Sequence, residues 1–99
     1  MIRKQQIEYY QSIMTRIETW AQREHDRIRQ QILVPHFDGN GCCLHNWMLN
    51  YEQGRPGITK EVYKLGKLYN HKEQQIWRES KRLKDRFYPK LIAAYRLTA

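Results

Sequence analysis

The chain holds two cysteines, and they are adjacent at Cys42 and Cys43. Neighbouring cysteines build no disulfide framework, so a reducing, cytoplasmic setting is expected. Three prolines and five glycines leave long stretches without a helix breaker. The longest apolar run is Leu91-Ile92-Ala93-Ala94-Tyr95. That is far short of the roughly 20 residues a membrane helix needs, so no membrane partner is expected. The start MIRKQQIEYYQS has no apolar stretch after its positive charges, which argues against a secretory signal. Negative charge is scarce: ten Asp+Glu stand against eighteen Lys+Arg, a net +8. An acidic mimic of nucleic acid is thereby disfavoured, and a polyanionic partner favoured.

Ninety-nine residues, 40% hydrophobic and 28% charged, suit one small globular domain. Residues 2–33 contain neither Gly nor Pro. On a helical wheel Ile7, Tyr10, Met14, Ile17, Ala21, Ile28 and Ile32 fall within about 80°, flanked by Ile13 and Trp20. This predicts a long amphipathic helix over 1–34, ended at Val34-Pro35 because proline disfavours helix in the residue before it. Residues 35–43, PHFDGNGCC, read as a loop, and 44–53 as a short apolar helix, so that 35–58 form the connection. Thr59 is placed to cap a second long helix through residue 88, with Val62, Leu65, Tyr69, Ile76, Leu83 and Phe87 in one stripe. Pro89 suits the first turn of a separate short helix over 89–99. The expected fold is all-α, a helical hairpin of two long antiparallel helices with short helices at the connection and C-terminus. Trp47, Trp77, Leu68, Leu91 and Tyr95 are left over by these narrow stripes. A crossing helix, a homodimer or a partner protein would cover them.

The positive charge is not spread evenly. Residues 1–54 carry six basic and six acidic side chains, and residues 55–99 carry twelve against four. Lys60, Lys64, Lys67, His71, Arg78 and Arg82 fall within about 60° on the wheel, opposite the apolar stripe. Asp85 is the single acid in that sector, and Lys81, Lys84 and Arg86 extend the charge toward the C-terminal end. A cationic ridge of this kind suits a phosphate backbone, because each neutralised phosphate releases counterions. It would suit an acidic protein groove as well, and the plain alternative is a solvated helix face.

Motifs for chemistry are missing or fail on inspection. There is no phosphate-cradling Gly loop, G-x-S-x-G elbow, H-E-x-x-H helix or C-x-x-C pair. His36, Cys42, Cys43 and His45 are zinc-type ligands without zinc spacing. The plainer reading makes Cys42 and Cys43 small buried residues at a helix entry. Asp38-Gly39-Asn40-Gly41 echoes a calcium loop, but the register puts His36 and Trp47 where carboxylates are required. Val62 and Gly66 have the spacing of a helix-turn-helix, yet Lys72 stands where its next core residue belongs. A continuous helix is the simpler reading there. His25 lies on the apolar face of the first helix and is expected to be a hydrogen-bonded core histidine. No nucleophile–base pair is evident, so no enzyme, cofactor or metal is expected.

The chain's size, its plain start MIRKQQIEYYQS and the Lys/Arg/Gln-rich segment KEQQIWRESKRLKDRF resemble the small basic helical accessory proteins of temperate bacteriophages. That group includes antitermination factors, recombination helpers and modulators of host nucleases. The resemblance implies action in the host cytoplasm by binding a host protein complex that works on nucleic acid. It transfers no binding residue. Two alternatives come from the residues themselves: direct DNA or RNA binding through the basic face, and a self-associating hairpin. The residues expected to make contact are Lys60, Lys64, Lys67, His71, Arg78, Lys81, Arg82, Lys84, Arg86, Trp47 and Trp77.

Overall fold

A computed structural model of the chain describes residues 3–98. The elements are α1 (Arg3–Ile28), a π-helical turn (Arg29–Leu33), α2 (Val34–His36), α3 (Gly41–Glu52) and α4 (Lys60–Thr98). No strand occurs among the described residues, so the fold is all-α. Contacts divide the chain into two compact units: Met1–Arg23 with Ile76–Ala99, and Glu24–Gln75.

In the unit of residues 24–75 the core gathers on Phe37, which is fully buried. Ile28, Ile32, Leu33, Leu44, Met48 and Tyr69 are buried in the same unit. Helix does not stop at Val34-Pro35, as the sequence suggests, but continues to His36. Proline removes one backbone donor and crowds the carbonyl four residues earlier. The π-helical turn lies directly before it, with Val34 N–H bonded to the carbonyl of Arg29, and this wider turn shifts the register ahead of the ring.

The expected loop over 35–43 shrinks to residues 37–40. There the Leu33 carbonyl accepts from both Phe37 N–H and Gly39 N–H at 2.8 Å. Asp38 (φ 53°) and Gly39 (φ 67°) both turn through the left-handed region, which closes the helix end and sends the chain back. The expected helix over 44–53 starts earlier, at Gly41. The Asn40 side chain caps it by accepting from Cys42 N–H at 2.7 Å. Thr59 Oγ1 accepts from Val62 N–H at 3.2 Å and caps α4 in the manner expected.

Gly66 lies inside continuous α4 helix and not at a turn, so the helix-turn-helix spacing is coincidental. It is more than a tolerated glycine. A Cβ there would meet Met48 Sδ at 2.6 Å and Phe37 Cζ at 3.2 Å. The missing side chain is the space that the core side chains of α3 and the 37–40 loop fill.

In the other unit, residues 3–23 of α1 pair with residues 76–98 of α4. Ile17, Ile76, Leu91 and Ala94 are buried, together with Ser80. Gln11 hydrogen-bonds the Tyr95 hydroxyl. Further along α1, Glu18 meets Lys84 at 3.6 Å.

The separate C-terminal helix is not formed: Pro89 lies inside α4, which runs on to Thr98. An interior proline costs a helix about 3 kcal/mol. Burial of Leu91 and Ala94 offsets this, because both reach the core only if the helix keeps its phase past residue 89. Leu91 therefore needs no outside partner.

Candidate polyanion-binding face

The basic residues expected to make contact divide between the two units: Lys60, Lys64, Lys67 and His71 lie in residues 24–75, and Arg78, Lys81, Arg82, Lys84 and Arg86 in residues 76–98. In residues 24–75, Lys60, Lys64, Lys67 and His71 are all exposed. Their spacing of three or four residues stacks them along one face of α4. None of the four makes an ion pair among the described residues. Lys67 Nζ instead stands 5.1 Å from the centroid of the Tyr63 ring. Tyr63 is itself fixed. Its ring stacks on Tyr51 at 4.4 Å, and its hydroxyl donates to Glu52 Oε1 at 2.8 Å. That bond to Glu52 holds the Tyr63 hydroxyl pKa above its ordinary value.

In residues 76–98 the picture is less uniform. Arg78 and Lys81 are exposed and make no ion pair among the described residues. Arg82 is forked onto Glu79, with Nε 3.1 Å and Nη2 2.5 Å from the carboxylate oxygens. The pairing lowers the pKa of Glu79 and raises that of Arg82. Lys84 is half-buried and faces Glu18. Arg86 is exposed, with its guanidinium 5.3 Å from the Phe87 ring centroid. Arg82 and Lys84 thus each have a carboxylate beside them, which Arg78 and Lys81 do not among the described residues. The i,i+3 spacing of Glu79 and Arg82 is legible in the sequence. The Glu18–Lys84 pair is not, because it joins residues far apart in the chain.

The two tryptophans separate. Trp47 is half-buried, with its ring 5.8 Å from that of Phe37. Trp77 is 62% exposed. Tyr88, which the sequence reading passed over, is 52% exposed and lies eleven residues further on, on the same side of the helix.

His25 is half-buried, with Nε2 3.3 Å from Glu73 Oε2 and 3.5 Å from the Tyr69 hydroxyl. Burial first, and then the Glu73 carboxylate, push the Tyr69 pKa well above its ordinary value. Cys42 is exposed and Cys43 half-buried at the start of α3, so Cys42 is not a packed core residue. The side chain that fills that part of the core is Leu44, two residues on. Among the described residues no three His, Cys, Asp or Glu side chains stand together as a metal ion would require. No described helix is long and apolar enough to cross a membrane.

Comparison with family models, curated proteins and solved structures finds no match.

Proposed function

We propose that this chain works by binding and not by catalysis, and that its cationic face on α4 contacts the phosphate backbone of DNA or RNA. One observation carries the reading. Lys60, Lys64, Lys67 and His71 stack on one exposed helix face with no acidic partner among the described residues. A face that served solubility alone would normally mix signs along its length. The test is binding of the full chain to labelled DNA and RNA across a salt series. Affinity should fall steeply with salt, with a logarithmic slope of about −0.9 per duplex phosphate contacted. A flat salt dependence would overturn the reading.

A second reading is favoured by the exposure of Trp77. The chain would then modulate a host protein complex that acts on nucleic acid, as the phage accessory proteins do, with Trp77 as an anchor. This reading places the chain in the host cytoplasm and takes it as one hairpin of two long antiparallel helices. Affinity purification from bacterial lysate, with and without nuclease, separates the two. A stoichiometric protein that survives nuclease favours modulation, and nucleic acid alone favours direct binding.

A further inference from the structure

We infer that the outward stripe of Trp77, Lys81 and Tyr88 on α4 is a stacking platform for single-stranded nucleic acid. The inference rests on the direct-binding reading and names the form of nucleic acid bound. Positions 77, 81 and 88 are four and seven residues apart, which sets them on one helix face. All three are exposed, Trp77 at 62% and Tyr88 at 52%, and they belong to one compact unit.

A helix rise of 1.5 Å per residue puts residues 77 and 88 about 16 Å apart along the axis, with Lys81 between them in the helix. Neither ring has a stacking partner among the described residues, unlike Tyr51 with Tyr63 or Trp47 with Phe37. Lys81 makes no ion pair among the described residues, and exposed Arg78 adds a second cation beside Trp77. Lys84 lies on the same side, with its ammonium 3.6 Å from the Glu18 carboxylate.

The chemistry selects the occupant. Aromatic rings flanking free cations match a ligand that offers flat, stackable faces on an anionic backbone. In a duplex those faces are buried in the base stack, and in a single strand they are available. Stacking on Trp or Tyr tolerates any base, so little sequence preference is expected.

The experiment measures anisotropy of a labelled oligothymidylate and of a labelled duplex of equal total charge, titrated with the full chain. Trp77→Ala, Tyr88→Ala and Trp77→Phe follow, each checked for helicity by circular dichroism. The inference expects the single strand to bind more tightly than the duplex. Trp77→Ala should weaken single-strand binding roughly tenfold, with duplex binding little changed and much of the loss restored in Trp77→Phe. Equal binding of both forms with no response to Trp77→Ala would overturn the platform and leave backbone binding standing. Binding of neither form would overturn the direct-binding reading itself. Loss of a protein partner on Trp77→Ala, with oligothymidylate binding intact, would overturn the platform in favour of protein docking.

Discussion

Gly66 and Met48 share one space: a Cβ on Gly66 would come within 2.6 Å of Met48 Sδ. The relationship inverts the usual effect of a helix substitution. Alanine normally stabilises a helix interior over glycine by about 1 kcal/mol. Here the added methyl also faces Phe37 Cζ at 3.2 Å, and Phe37 is fully buried. Overpacking of this kind costs roughly 1–3 kcal/mol. Gly66→Ala should therefore destabilise the protein by about 1 kcal/mol in urea titration. A gain in stability would mean that Met48 swings clear at no cost.

Pro89 is exposed and lies inside α4. Proline has no N–H to donate to the helix ladder. Pro89→Ala should restore that donor and stabilise by roughly 1–3 kcal/mol. In calorimetry each kcal/mol raises the Tm by about 4–8 °C for a domain of this size. An unchanged Tm would show that the backbone near residue 89 is already fully accommodated.

Tyr69 sets a limit at alkaline pH. Its folded pKa is raised above the ordinary 10.0, chiefly by burial. Above pH 10 the unfolded chain gives up this proton while the folded chain keeps it, so the unfolded state binds fewer protons and stability falls as pH rises. The contribution is fully present below pH 10 and is lost above it. Tyr69→Phe should remove this alkaline loss. It should cost about 1 kcal/mol near neutrality, where the hydroxyl contact to His25 disappears. Urea titrations at neutral and alkaline pH measure both effects, and parallel losses in both proteins would refute the assignment to Tyr69.

The cationic face predicts a change of function without a change of fold. Lys60, Lys64 and Lys67 are exposed and make no ion pair among the described residues. Reversing all three to Glu should leave helicity unchanged and abolish retention on a polyanion such as heparin. Reversing Arg82, already held by Glu79, should matter less. Equal effects at Arg82 and Lys64 would argue against a role for unpaired charge.

The sequence by itself determined the helical class, the amphipathic stripes, the Thr59 cap and the one-sided charge of the C-terminal half. Each of these depends on spacing along a single helix, which three- and four-residue periodicity records directly. The tertiary structure alone decided where proline breaks a helix and where it does not. Local propensity would end a helix at Pro35 and restart one at Pro89. Yet Leu33 and Phe37 are buried around the first, and Leu91 and Ala94 beyond the second. Burial of side chains outweighs one lost backbone bond. Tertiary packing also decided which candidate contact residues stay free. It drew Trp47 onto Phe37 and Lys84 onto Glu18, and it left Trp77, Lys81 and Tyr88 in solvent. Pairs joined across tens of residues leave no periodic trace, because their distance is set by packing and not by position in the chain.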